Sequence, residues 1–104
     1  MTVRDDMLNG RAICHGGLIF SLADTAFAHA CNSYNIVTAA AGCTIEYLLP
    51  GHSGDTLTAT AEPRSQNGRR GVLDISVRNQ NGATVALFRV KSRRLDRPIV
   101  AQEI

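Results

Sequence analysis

One acid stands inside an otherwise apolar stretch of helix. Residues 17–32 read GLIFSLADTAFAHACN, and Asp24 sits near the middle among Leu, Ile, Phe and Ala. A carboxylate keeps such company when it is paired with another group or when it does chemistry. Just upstream lies Cys14-His15-Gly16-Gly17, a glycine-rich entry to the same helix. A helix N-terminus offers unpaired N–H groups and the positive end of the helix dipole. Acyl chemistry needs an activated water or nucleophile, and donors for the oxyanion that develops. The two features together supply both parts.

These residues need elements to hold them. The helix is expected over residues 17–33, and its apolar positions, including Ile19, Phe20, Ala23 and Phe27, cover most of its circumference. A helix apolar nearly all round is expected to be buried. The remainder reads as strands: residues 1–6 as the tail of one, then 36–49, 55–64, 71–79 and 83–95. Asn67-Gly68 marks a turn, and Asn81-Gly82 between two alternating runs is a strong hairpin signal. Tight turns imply antiparallel neighbours. The expected fold class is α+β, one antiparallel sheet curled around one long helix. Residues 1–104 form a single domain, with about 96–104 as a loose tail.

Composition narrows the function. Hydrophobic residues make up 44% and charged residues 19%, as in a globular protein. Trp is absent and aromatics are 5%, so base-stacking platforms for single-stranded nucleic acid are not expected. A net charge of +2 is too small for general duplex binding. The charge is uneven, however: residues 64–97 hold nine Lys or Arg against two Asp. Such a basic half could meet a phosphorylated small molecule or form a solvated strand face. Cys14, Cys31 and Cys43 are three in number, which argues against a disulfide framework and a zinc site. All three flank apolar residues, so buried free thiols in a reducing cytoplasm are expected. The start, MTVRDDMLNG, does not read as a signal peptide, and no apolar run approaches the roughly 20 residues of a membrane span.

Several segments then agree, in order and spacing, with one family. Leu8-Asn9-Gly10, Cys14-His15-Gly16-Gly17, Phe20-Ser21-Leu22-Ala23-Asp24-Thr25-Ala26, Gly54-Asp55-Thr56-Leu57-Thr58-Ala59-Thr60-Ala61, Gly71-Val72-Leu73-Asp74 and Thr84-Val85-Ala86-Leu87-Phe88-Arg89 resemble the PaaI-type thioesterases of phenylacetate degradation. The resemblance runs from about Met1 to Leu95. It implies the hotdog fold and hydrolysis of acyl-CoA thioesters, often aryl-acetyl ones. It implies a homodimer with a shared active site, usually paired into a homotetramer. Relatives begin upstream of this Met1, so an N-terminal helix and part of the first strand are expected to be missing. Arg11 and Arg93 stand where close relatives carry histidine.

The resemblance also assigns roles. Asp24 matches the catalytic carboxylate, as general base on water or as nucleophile giving a mixed anhydride. Burial in the helix is expected to desolvate it, which suits a base near neutral pH. The Gly16 N–H matches the oxyanion donor, where a side chain would keep the carbonyl away. Asn9 matches a polar residue that orients water or holds the thioester; it also reads as a turn Asn. His15 matches the histidine before the glycine, orienting the loop or bonding the substrate near its carbonyl. Gly17 and Thr25 are expected to touch substrate, although Thr25 could equally bond back to its own helix. No cofactor is implied beyond the coenzyme A of the substrate, and no metal.

Helix geometry adds a constraint. Asp24 lies seven residues after Gly17, about 10 Å along the axis. Attack or hydrogen bonding needs about 3 Å. Acid and oxyanion donor are therefore expected to come from two chains facing each other. Arg64, Arg69, Arg70, Arg89, Lys91 and Arg93 are candidates for the coenzyme A phosphates.

Three other readings compete. Asp24 and His29 have the five-residue spacing of an enoyl-CoA hydratase, but helix geometry sets them about 140° apart. A non-catalytic acyl-CoA-binding module would bind without hydrolysis. A metal hydrolase would need ligand spacing that His15, His29 and His52 lack.

Overall fold

The computed structural model describes residues 1–31 and 36–98. One long helix, α1 (Gly16–Cys31), is followed by four strands: β1 (Ile36–Tyr47), β2 (Thr58–Asn67), β3 (Arg70–Arg78) and β4 (Thr84–Pro98). They form one sheet in the order β1-β4-β3-β2, with every neighbouring pair antiparallel.

Local chemistry sets the hairpins. Gly68 and Gly82 both take positive φ, 63° and 78°, at the two turns read from Asn-Gly pairs. Asn79 shapes the second turn, its Oδ1 accepting from the N–H groups of Asn81 at 3.0 Å and Ala83 at 3.1 Å. The β2–β3–β4 meander follows directly. β1 then pairs with the last strand, from Ile36 opposite Pro98 to Tyr47 opposite Ala86.

The period-two patterns become faces. Leu73, Ile75 and Val77 of β3 are buried beside Phe88 and Val90 of β4. Onto this face α1 places Ile19, Ala23 and Phe27, its buried residues. Arg89, Lys91 and Arg93 share the outward face, as alternation requires.

Some expectations are corrected. The helix is not buried all round: Ser21, Asp24, Thr25, Ala28 and Ala30 are exposed. A four-stranded sheet covers one stripe of a helix, and the many alanines elsewhere have little surface that must be hidden. The N-terminal segment is a strand tail only over its first residues. Thr2 bridges Thr56, while Val3 donates to Asp55 O and accepts from Gly54 N, both at 2.8 Å. Residues Asp5–Met7 then turn into a short 3-10 helix. The last strand reaches Pro98, beyond the expected Leu95, because β1 continues alongside it. The rest of the expected tail, 99–104, and the expected helix end at Ser33 lie outside the described residues. All three cysteines are free, but only Cys14 is buried; Cys31 is half-buried and Cys43 is exposed on β1.

Candidate active site

The loop before α1 is tied down by its own backbone. Asn9 N donates to Ile13 O at 2.8 Å, Cys14 N to Gly51 O at 2.7 Å and His15 N to Met7 O at 2.9 Å. The Asn9 side chain closes the turn from inside. Its Oδ1 accepts from Arg11 N at 2.8 Å and Ile13 N at 3.4 Å. The oxygen of the amide is thus committed to the loop, and its NH₂ remains to donate elsewhere.

The helix begins where this frame stops. His15 O accepts from Leu18 N at 3.0 Å and Ile19 N at 3.4 Å. Gly16 and Gly17 come between, and no group among the described residues accepts from either N–H. At Gly17 a Cβ would meet nothing within 4 Å. Two donors at the positive end of a helix are therefore unengaged among the described residues.

Asn9 and Gly16 line one cleft of about 400 Å³ together with Ile13, Ile19, Tyr47 and Leu48. Its walls are mostly apolar, with few polar groups, as a site for an acyl chain requires. Tyr47 is the residue that sequence reasoning missed. Its hydroxyl donates to Gly16 O at 2.8 Å. A tyrosine at a strand end carries no periodic signal linking it to a glycine 31 positions earlier.

The other expected site residues lie apart from this cleft in the single chain. Asp24 is exposed and does not line it. This corrects the expectation of a carboxylate desolvated by its own helix; its own chain leaves it open. His15 holds the loop through its backbone, and its side chain is exposed. Thr25 Oγ1 donates to Ser21 O at 2.8 Å, a bond back to its own helix. Gly17 O likewise accepts from Ser21 Oγ at 2.9 Å.

The hydratase geometry is not assembled. His29 lines a separate cleft with Leu22, Thr25 and Ala26, and Asp24 is not part of it. Among the described residues no three His, Cys, Asp or Glu side chains gather to hold a metal ion. Cys14 is poorly suited as a nucleophile, since burial pushes its thiol up. Among the described residues no helix is long and apolar enough to cross a membrane.

Among the six candidate phosphate ligands, Arg89 and Arg64 both pair with Asp74. Arg89 grips Asp74 through Nε at 2.6 Å and Nη2 at 2.8 Å. Arg64 reaches Asp74 at 2.9 Å and Glu62 at 3.0 Å. Asp74 lies directly opposite Arg89 in the β3–β4 register. Arg70, Lys91 and Arg93 instead line a second cleft of about 340 Å³ with Ser65 and Asn67.

Comparison with known proteins places this arrangement. The chain is 56% identical over 102 residues to the acyl-coenzyme A thioesterase PaaI of Escherichia coli strain K12, covering 98% of this chain and 73% of that protein. A putative esterase of Archaeoglobus fulgidus is 36% identical over 87 residues, covering 84% of this chain and 56% of its own. The structure of the E. coli PaaI protein from the phenylacetic acid degradation operon superposes with a TM-score of 0.92 at 57% identity, covering 96% of this chain and 72% of the other. A Streptococcus mutans UA159 protein solved bound to acetyl CoA superposes with a TM-score of 0.87 at 28% identity, over 94% of this chain and 79% of its own. Residues 12–86 match the model of the Thioesterase superfamily. With the hotdog arrangement of helix and sheet in place, the chain belongs to that superfamily.

Proposed function

We propose that this protein hydrolyses acyl-CoA thioesters, aryl-acetyl esters of the phenylacetyl or hydroxyphenylacetyl type first among them, to the free acid and coenzyme A. The observation that carries the reading is the pair of unengaged N–H groups at Gly16 and Gly17 beside the Asn9 amide. A thioester carbonyl seated there gains its strongest hydrogen bonds as negative charge grows on its oxygen. The 56% identity to a thioesterase over nearly the whole chain supports the same chemistry.

The other half of the reaction comes from Asp24. It takes a proton from water as that water adds to the carbonyl carbon, or it adds to that carbon itself and water then hydrolyses the anhydride. Either way the C–S bond breaks and the thiolate of coenzyme A leaves and is protonated. Asp24 is about 10 Å along the helix from the glycines of its own chain. The acid therefore belongs to the facing protomer of a homodimer, and two such dimers pair as a homotetramer. Its exposure in the single chain supports this reading, because a group used across an interface must point away from its own core.

Asn9 donates its amide to the thioester or the water. His15 and Gly17 hold the substrate near its carbonyl, and Thr25 lies against it beside Asp24. The reaction needs no cofactor beyond the coenzyme A carried by the substrate, and the protein works in the cytoplasm.

The test is hydrolysis of a panel of aryl-acetyl, hydroxybenzoyl and straight-chain CoA esters by the assembled oligomer, run beside Asp24→Asn. Cleavage of an aryl-acetyl ester that disappears in the variant supports the proposal. Tight binding of every ester with no cleavage would make the protein an acyl-CoA-binding module instead.

A further inference from the structure

Tyr47 ends β1 and reaches across to the first residue of α1. Its hydroxyl donates to Gly16 O at 2.8 Å. Its ring lies over the same residue: a Cβ at Gly16 would stand 3.1 Å from Tyr47 Cζ and 3.3 Å from Cε1. One side chain thus holds Gly16 by a hydrogen bond and by contact.

The peptide group explains why this matters. Gly16 O and Gly17 N–H belong to one planar amide. Fixing the carbonyl fixes where the N–H points. A hydrogen bond to the carbonyl also polarises the amide and makes its N–H a better donor. The ring, packed where a Gly16 Cβ would stand, limits rotation at the joint between the two amides that carry the Gly16 and Gly17 N–H groups. Glycine is the residue most in need of such a restraint.

We infer that Tyr47 is a positioning residue for the reaction, aiming the Gly17 N–H at the substrate carbonyl through the Gly16–Gly17 amide and steadying the Gly16 N–H beside it. The inference rests on the proposed thioester reading and adds a residue to it. Donors aimed at a developing oxyanion act on the transition state more than on the bound substrate. Loss of the clamp therefore falls on kcat, with KM for the ester nearly unchanged.

Tyr47→Phe keeps the ring and removes only the hydroxyl. On the best ester of the panel kcat is expected to fall about tenfold with KM within about twofold. In an isotope-labelled protein the Gly17 amide nitrogen and proton are expected to move upfield as the amide loses its polarising bond. Tyr47→Ala, which also removes the ring, is expected to lose about a hundredfold in kcat. A Tyr47→Phe variant with unchanged kcat overturns the inference, and so does one whose KM carries the whole effect. A fall in kcat with the Gly17 resonances unmoved overturns the route through the amide. If the wild-type chain cleaves no ester, the thioester reading fails, and the Gly17 resonances alone then judge whether the hydroxyl holds the turn.

Discussion

Phe20 of the helix and Phe88 of the sheet meet edge to face, with ring centroids 5.2 Å apart and planes at 90°. Phe20 stands one helical turn before Asp24, on the side of α1 that turns from core to solvent. The contact therefore sets how far the helix rolls on the sheet, and with it where Asp24 points. Phe88 is 2% exposed in the middle of the core. Truncation to alanine is expected to cost about 3–5 kcal/mol, measured by urea unfolding. The milder Phe20→Leu is expected to lower kcat more than stability, because the helix keeps its packing but loses the fixed roll.

Asp24 makes the opposite forecast. It is exposed, so Asp24→Asn is expected to change stability by no more than about 0.5 kcal/mol. Hydrolysis is expected to fall by about 10²–10⁴. Sharing of the site between chains has its own signature. Asp24→Asn and Gly16→Val are each expected to be inactive alone, the second because its side chain meets the Tyr47 ring. Mixed after unfolding and refolding together, they are expected to recover about a quarter of wild-type activity. Half of the random pairs are mixed, and each mixed pair rebuilds one of its two sites. No recovery would place acid and donors in one chain.

Asn9 separates fold from chemistry within one side chain. Asn9→Ala removes the acceptor for Arg11 N and Ile13 N, and is expected to cost about 1 kcal/mol as well as activity. Asn9→Asp keeps the acceptor and loses the NH₂. Its melting temperature is expected to stay near wild type, while kcat falls about tenfold or more. Equal losses of stability in both variants would show that the nitrogen, too, serves the loop.

On the outward face of the sheet, Arg89 and then Arg64 hold the Asp74 carboxyl down to about 2. The unfolded chain leaves it at about 3.9. The folded pKa is the lower one, so this stabilisation is fully present above about pH 4 and is lost as pH falls towards about 2. Melting temperature measured across that window is expected to drop more steeply in wild type than in Asp74→Asn. Salt is expected to shrink the difference, since Arg89 is 60% exposed.

Much of this was legible in the chain of residues. The helix begins one residue before its expected start, and the two Asn-Gly turns fall where they were read. Period two correctly set Leu73, Ile75 and Val77 inward and Arg89 outward. The exposed stripe of α1 was not legible, because alanine is compatible with either side of a helix. The pairing of Arg64 and Arg89 with Asp74 depends on strand register, which the shift between Pro63 and Ser65 alters on the Arg64 side. The role of Tyr47 is not legible in sequence, because its partner is 31 residues away and is a backbone atom. Asp24 and Gly16 stand out from the residues alone, as a lone acid in an apolar helix and a glycine-rich helix entry, whereas Asn9 needs the family resemblance; only Asn9 and Gly16 line one cleft here.

The backbone bonds from Cys14 to Gly51 and from His15 to Met7 have one more implication. They commit the residues ahead of the glycines to the rest of the molecule and leave the next two amides without partners. The dipoles that meet the substrate are thus oriented during folding, and no turnover has to arrange them again. On warming, a loosening of this corner would silence the protein while its sheet still stood.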